Sequence, residues 1–210
     1  MFVKFCGFTR ERDVEAAADL GVSAVGFIFH PASKRCVTPE RAAALGKMLD
    51  GSGIERVGVF VDTEADDIRR AAEVAGLDRL QVYSGKHRDE LRGFRKIIFA
   101  RRIRGRDDLD ATGAPAGDEL FLLDAYSDDA FGGTGVAFNW EHLAGFPHIG
   151  KTIVAGGINE NNVVYLARNV RPYGVDVSSG IEEAPGVKSK EKMLSFMKNL
   201  QEALRHEGIA

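Results

Sequence analysis

The chain has 210 residues, of which 44% are hydrophobic and 28% are charged, and its net charge is −3 at pH 7. This is an ordinary globular composition, and the slightly acidic balance argues against a nucleic-acid partner. No run approaches the roughly eighteen apolar residues of a membrane span, and the N-terminus lacks the features of a secretion signal. The two cysteines, Cys6 and Cys36, are too few for a disulfide framework, so the expected compartment is the reducing cytoplasm.

Eight short apolar runs alternate with amphipathic segments along the chain. The runs predict strands near residues 3–6, 24–29, 57–61, 79–83, 96–100, 120–124, 152–155 and 174–178. Most of them are apolar throughout, which is typical of parallel strands covered on both faces. The segments between them repeat apolar residues at helical spacing, and Thr38-Pro39-Glu40 is typical of a helix N-cap followed by proline.

Eight strand–helix units predict a compact (β/α)8 TIM barrel of the α/β class, with residues 1–210 forming a single domain. The alternative is an open doubly wound sheet, but no GxGxxG sequence follows the first strand, which weakens a dinucleotide-binding interpretation. In a barrel, the residues at the C-terminal ends of the strands face the active site.

Cys6 ends the first predicted strand and is followed at once by Gly7. A structural cysteine usually lies within an apolar run, where it acts as a small hydrophobic residue. A thiol at the mouth of a barrel strand can instead act, as its thiolate, as a base or a nucleophile. In the loop after the second strand, Arg35 is a candidate for binding a carboxylate through two parallel hydrogen bonds, although a lone loop arginine is more often solvated.

Asp124 closes the apolar sixth strand. It is either a helix cap or ion-pair partner, or a general acid whose pKa is raised by an apolar site. Asp176 lies one residue further back in the eighth strand, and its position favours a supporting role, although we include it among the candidate substrate-binding residues. The glycine-rich segment 132–135 after the sixth strand, which includes Gly133, is either a loop that closes over a ligand or a plain connection.

Glycines and serines follow the seventh and eighth strands. They are Gly156, Gly157, Ser178, Ser179 and Gly180. Glycine lets the backbone approach an anion closely, and barrels often bind phosphate through these two loops and a short extra helix. We therefore predict a phosphorylated small-molecule ligand here, with residues 181–184 as part of the extra helix. No histidine pair has the spacing of metal ligands, so no metal is expected.

The sequence resembles phosphoribosylanthranilate isomerases over nearly its whole length. The resemblance is carried by segments 4–9, 26–31, 33–35, 57–61, 80–83, 122–125, 132–135, 155–158, 174–182 and 185–188. It implies an Amadori rearrangement in tryptophan biosynthesis, without a cofactor. It also implies that Cys6 is the general base, that Asp124 is the general acid, and that Arg35 meets the anthranilate carboxylate.

The chain departs from this family at its fourth strand, where Tyr83 replaces the usual histidine, so no role is transferred to Tyr83. Phe8 and Cys36 also differ from the residues common at their positions. Two alternatives remain open, namely another phosphosugar-processing barrel enzyme and a non-catalytic phosphate-binding barrel. The sequence leaves the assembly open as a monomer or a homodimer.

Overall fold

The computed structural model describes residues 1–83, 87–110, 112–125, 140–143 and 145–206. Eight parallel strands close into a barrel in chain order, and the first strand pairs with the last. The strands are β1 Phe2–Cys6, β2 Ala24–Ile28, β3 Glu55–Phe60, β4 Arg79–Val82, β5 Lys96–Ile103, β6 Leu120–Ala125, β7 Thr152–Ala155 and β8 Gly174–Val177. The predicted (β/α)8 barrel is confirmed, and the open doubly wound sheet is wrong.

Helices connect the strands on the outside of the barrel. They are α1 Glu11–Asp19, α2 Pro39–Gly46, α3 Ala65–Ala75, α4 Arg88–Leu91, α5 Arg106–Asp110, α6 Val163–Tyr165 and α7 Lys190–His206. The predicted start of α2 is confirmed, because Oγ1 of Thr38 accepts a hydrogen bond of 3.2 Å from the backbone N–H of Arg41. Within the described residues, no helix combines the length and the apolar character needed to cross a membrane.

The connection between β8 and α7 differs from the prediction. Residues 181–184 were expected to continue a short helix, but the helical turn ends at Ile181 and is followed by a hairpin of β9 (Glu182–Ala184) and β10 (Val187–Lys188). The two strands pair antiparallel around Pro185 and Gly186. This hairpin, rather than a helix, therefore carries the chain from the last barrel strand to α7.

Alternate residues of each strand face opposite sides of the barrel wall. In β1, Phe5 is fully buried on the outer side, and its ring makes an edge contact with Phe196 of α7 at 5.6 Å between centroids. A separate buried cluster contains Ala24, Val57, Ile98, Ala100, Leu120, Leu122, Ile153 and Ala155. It is built from the barrel strands alone and fills part of the barrel interior, which it shares with buried polar side chains such as Lys4 and Gln81.

Candidate active site

A cavity of about 250 Å³ opens at the C-terminal ends of the strands. Its walls include Cys6, Arg35, Tyr83, Asp124 and Asp176. The structure therefore brings together side chains from β1, from β6 and from β8, with one from the loop that follows β2 and one from the residue that follows β4. A wider groove of about 670 Å³ lies at the opposite end of the barrel, but its main charged groups are already engaged in ion pairs with one another.

The Cys6 side chain is buried, and glycines in its surroundings leave space for its sulphur atom. A Cβ atom on Gly26 of the neighbouring strand would lie 2.7 Å from Sγ of Cys6, so only glycine fits beside the thiol. The next residue, Gly7, has a φ of +84°, and a Cβ there would lie 2.6 Å from Cδ of Arg35. Glycine at position 7 thus allows both the turn after β1 and the approach of the arginine.

Lys4 and Asp176 lie next to the thiol, inside the barrel. The Lys4 side chain has no exposed surface, and its Nζ is 2.9 Å from both carboxylate oxygens of Asp176. Burial raises the pKa of the Cys6 thiol above its ordinary value, while the Lys4 ammonium opposes this rise and the Asp176 carboxylate adds to it. Asp176 therefore binds Lys4 in this structure, in keeping with the supporting role that its position in β8 favours.

Asp124 stands at the end of β6, and little of its side chain reaches solvent. Burial raises the pKa of its carboxyl above the ordinary value, and the carboxylate of Asp176 adds to the rise. The phenol of Tyr83 donates a hydrogen bond of 3.2 Å to Oδ2, which favours the ionised form and partly offsets the rise. A carboxyl group in such a setting retains its proton to a higher pH than a solvated one and is suited to donate it.

Arg35 lines the cavity, and its guanidinium is held by an acidic side chain. Nε is 2.9 Å from Oε1 of Glu182, and Nη2 is 2.6 Å from Oε2. Glu182 also accepts hydrogen bonds from the Lys188 ammonium at 2.8 Å and from the backbone N–H of Gly186 at 3.2 Å. Arg35 and Lys188 carry two positive charges against the one negative charge of Glu182. This Arg35–Glu182–Lys188 cluster therefore favours the binding of a further anion.

Lys188 is itself buried and joins two strand ends. Its ammonium donates hydrogen bonds to the backbone carbonyls of Cys6 and Ser178, which end β1 and follow β8. Burial lowers the pKa of Lys188 below its ordinary value, and the Glu182 carboxylate opposes this change. Lys188 thus couples the geometry of the thiol-bearing strand to that of the predicted phosphate loop.

Gly156, Gly157, Ser178 and Ser179 all line the cavity. The two glycines have φ values of +90° and +66°, in the left-handed region that residues with a Cβ rarely adopt. Gly180 packs behind them, since a Cβ there would lie 2.0 Å from the carbonyl oxygen of Ile158. The predicted ligand residues of these loops are therefore adjacent in space. Gly133 lies outside the described residues.

Several site residues were not identified from the sequence. Lys4 shares the inward face of β1 with Cys6, and this two-residue spacing is the signal that could have identified it. Gln81 is buried in the cavity wall, and its Oε1 has no hydrogen-bond partner among the described residues. Glu182 and Lys188 lie in segments that carry the family resemblance, but their contacts could not be predicted, because their partners Arg35 and Cys6 are distant along the chain.

Comparison with known proteins shows the family to which the chain belongs. The sequence model described as N-(5'-phosphoribosyl)anthranilate (PRA) isomerase matches residues 3–199. A protein of Pelobacter propionicus named N-(5'-phosphoribosyl)anthranilate isomerase is 39% identical over 201 residues, which cover 95% of each chain.

Solved structures agree with the sequence comparison. Phosphoribosyl anthranilate isomerase from Thermotoga maritima superposes with a TM-score of 0.85 and 30% identity, covering 96% of this chain and 99% of that chain. A similar isomerase in complex with reduced 1-(o-carboxyphenylamino)-1-deoxyribulose 5-phosphate has a TM-score of 0.82 and 29% identity, with the same coverage. A third structure, of monomers generated from the dimeric Thermotoga maritima enzyme, has a TM-score of 0.83, 29% identity and again the same coverage.

Proposed function

Because the chain belongs to the N-(5'-phosphoribosyl)anthranilate isomerase family, we propose that Cys6 is the general base and Asp124 the general acid of its reaction. The reaction is the Amadori rearrangement of N-(5-phosphoribosyl)anthranilate to 1-(2-carboxyphenylamino)-1-deoxy-D-ribulose 5-phosphate, a step of tryptophan biosynthesis. The observation that supports the assignment is that both side chains line one cavity, together with the two glycine-containing loops.

The acid step comes first. Asp124 donates its proton to the ribose ring oxygen, the C1–O bond breaks, and the nitrogen lone pair forms the C1=N iminium. This step needs a carboxyl group that is still protonated near neutral pH. Burial and the neighbouring Asp176 carboxylate raise the pKa of Asp124 in that direction.

The base step follows on the iminium. The Cys6 thiolate removes the proton from C2, and the C–H electron pair neutralises the iminium to give an enolamine, which tautomerises to the ketone. Burial raises the pKa of the free thiol, so the ligand-free protein favours the thiol form. The cationic iminium favours the thiolate by direct attraction and acidifies the C2 proton, and the Lys4 ammonium acts in the same sense.

The two anionic ends of the substrate account for the remaining site residues. We propose that the phosphate binds the backbone of Gly156, Gly157, Ser178, Ser179 and Gly180, with Gly133 as a further contact. The anthranilate carboxylate then meets Arg35, whose Nε and Nη2 already bind Glu182, so Nη1 is the nitrogen available to it. The net positive charge of the Arg35–Glu182–Lys188 cluster favours this contact.

Three broader features complete the proposal. Residues 1–210 act as one domain, and the assembly is a monomer or a homodimer, which size-exclusion chromatography with light scattering decides. The compartment is the cytoplasm, in keeping with the free thiols of Cys6 and Cys36.

The test of the acid–base assignment is turnover, followed by the loss of phosphoribosylanthranilate fluorescence. Cys6→Ala and Asp124→Asn should each lower kcat by about two to four orders of magnitude, the usual effect of losing a general base or acid. Cys36→Ser, which changes the exposed thiol, is the matched control and should keep parental activity. A folded Cys6→Ala protein with near-parental kcat contradicts the base assignment. A large rise in KM with unchanged kcat in Asp124→Asn makes Asp124 a binding residue instead.

A further inference from the structure

We propose that Tyr83 is the positioning residue of the general acid, because its phenol holds Oδ2 of Asp124 and leaves the transferable proton on Oδ1. The hydrogen bond between the phenol oxygen and Oδ2 is 3.2 Å long. The inference rests on the proposed role of Asp124 and adds to it a partner and a specific oxygen atom.

The backbone and the ring of Tyr83 are both fixed. Its N–H donates to the carbonyl of Phe60 at 3.2 Å, which extends the β3–β4 ladder by one residue beyond the end of β4. The ring packs against the apolar cluster in the barrel interior, and the guanidinium of Arg102 lies 6.0 Å from its centroid. A phenol held in this way presents its O–H to Asp124 without a large entropic cost on substrate binding.

The phenol acts as the donor of this hydrogen bond. Burial raises the pKa of Tyr83 well above its ordinary value, and the carboxylate of Asp124 adds to the rise, so the phenol keeps its proton through the working pH range. A neutral carboxylic acid has one oxygen that carries hydrogen and one that only accepts. Since Oδ2 accepts from the phenol, the proton of neutral Asp124 is placed on Oδ1.

The groups that act on Asp124 come from three strands and from the residue that follows β4. Burial and the Asp176 carboxylate of β8 favour the protonated acid, whereas the Tyr83 hydrogen bond, Arg102 of β5 and Lys4 of β1 favour the carboxylate. Tyr83 is the one of these that forms a direct hydrogen bond to Asp124 among the described residues. It therefore orients the acid and also stabilises the carboxylate that remains after the proton has left.

This role fits the departure from the family pattern at this position. The usual histidine is a donor that can also take up a proton near neutral pH, whereas tyrosine stays neutral there. A phenol supplies the hydrogen bond to Asp124 without introducing a second group that titrates in the same range. Tyrosine at this position thus supplies a donor to Asp124 that does not itself titrate near neutral pH.

The experiment combines a direct titration of Asp124 with steady-state kinetics. In Tyr83→Phe, the pKa of Asp124 should rise, because a hydrogen bond to the carboxylate is lost. The titration is followed by carbon-13 NMR of the aspartate carboxyls, and the Asp124 signal is identified as the one missing in Asp124→Asn. The kcat should fall about tenfold, with KM changed by less than about twofold, as expected for a positioning role. Tyr83→His should recover part of the lost kcat. Tyr165→Phe, at an exposed tyrosine of α6, is the matched control and should leave both readouts unchanged.

Opposite results overturn the inference. If the pKa of Asp124 is unchanged in Tyr83→Phe, the inference is wrong whatever happens to kcat. A merely structural role of Tyr83 would lower activity without changing that pKa. Should Tyr83→Phe fail to fold, site-specific 3-fluorotyrosine at position 83 keeps the ring and strengthens the donor, so it should lower the pKa of Asp124, and a rise or no change overturns the inference. If Asp124→Asn retains parental turnover, the proposed general acid and this inference both fail. If Asp124→Asn is inactive but Tyr83→Phe keeps the parental kcat and the parental pKa of Asp124, only the inference about Tyr83 fails.

Discussion

Lys4 and Asp176 form an ion pair inside the barrel, with the lysine Nζ 2.9 Å from both carboxylate oxygens, and this pair lies next to the proposed catalytic thiol. Their charges act on Cys6 in opposite directions, because the ammonium favours the thiolate and the carboxylate disfavours it. The ion pair is thus a supporting element of the site as well as part of the barrel interior.

The first prediction concerns this pair. Lys4→Met keeps the length of the side chain but removes its charge and leaves Asp176 unpaired, so the pKa of Cys6 should rise further and kcat should fall about ten- to a hundredfold. The thiolate titration is followed by ultraviolet absorbance in a Cys36→Ser background, which leaves Cys6 as the only thiol.

The matched change for this prediction is Asp176→Asn, which removes the negative charge and should move the pKa of Cys6 downward. The double variant Lys4→Met/Asp176→Asn should lie between the two single variants. A thiol titration that moves in the same direction in both single variants would show that packing, rather than charge, governs Cys6.

The second prediction concerns the carboxylate of the substrate. Arg35→Ala should raise KM about ten- to a hundredfold, corresponding to roughly 1.5–3 kcal/mol for a charged hydrogen-bonded contact. Arg35→Lys should be only slightly better, because one ammonium cannot reproduce the fork that binds Glu182 and a ligand together. Lys34→Ala, at the exposed neighbouring residue, is the control and should keep the parental KM. A parental KM in Arg35→Ala would transfer carboxylate binding to another residue.

The third prediction concerns the proposed phosphate site. Inorganic phosphate should raise the Tm of the parental protein by mass action. In Gly180→Ala, the new methyl group would lie 2.0 Å from the carbonyl oxygen of Ile158, so the two loops must separate and the phosphate-induced rise should disappear.

The control for phosphate binding is Gly150→Ala. Gly150 lies before β7, at the other end of that strand, and a Cβ there would meet no atom within 4 Å. It should keep the full phosphate-induced rise in Tm. Equal phosphate responses in Gly180→Ala and Gly150→Ala would place the anion elsewhere.

The fourth prediction concerns acid stability away from the site. Although burial alone raises the pKa of Glu119, hydrogen bonds from Arg88, the backbone of Ala116 and Arg92 hold it at about 2. A carboxyl whose pKa is lowered in the folded state stabilises it above the unfolded-state value, and this stabilisation is lost as the pH falls from about 4.5 toward about 2.

Glu119→Gln should accordingly lower the Tm at neutral pH by about 2–8 °C, from roughly 1–2 kcal/mol of lost charged hydrogen bonding. The difference from the parental protein should shrink across that acid range. Glu202→Gln on the exposed face of α7 is the control. A Tm difference that stays constant from neutral to acid pH would show that shape, rather than charge, is lost.

The barrel was predictable from the sequence because its strands are covered on both faces and therefore form nearly continuous apolar runs. The prediction is least accurate at β5, which was expected to end at residue 100 but extends to Ile103. Arg101 and Arg102 hid this extension, since they are charged, yet their backbones pair with Leu123 and Asp124 of β6. Strand pairing is a property of the backbone and need not follow side-chain polarity.

Within the site, side chains at strand ends were predictable and their partners were not. Cys6 and Asp124 stand where an apolar run stops, which is visible in one dimension. The contact between Arg35 and Glu182 joins residues 147 positions apart, and Glu182 was expected in a helix because barrels often bind phosphate with a short extra helix after the eighth strand. Only the closed barrel brings such residues together, and local propensity carries no information about it.

The seam between β1 and β8 has a consequence for synthesis of the chain. Lys188, near the C-terminus, joins the carbonyl of Cys6 at the end of the first strand to that of Ser178 after the last. Because Lys188 follows Cys6 by 182 positions, a nascent chain carries its proposed catalytic thiol long before residue 188 has left the ribosome and can complete the surroundings of that thiol. Premature termination before the β9–β10 hairpin yields a chain with the thiol and the acid both present and no finished site around them.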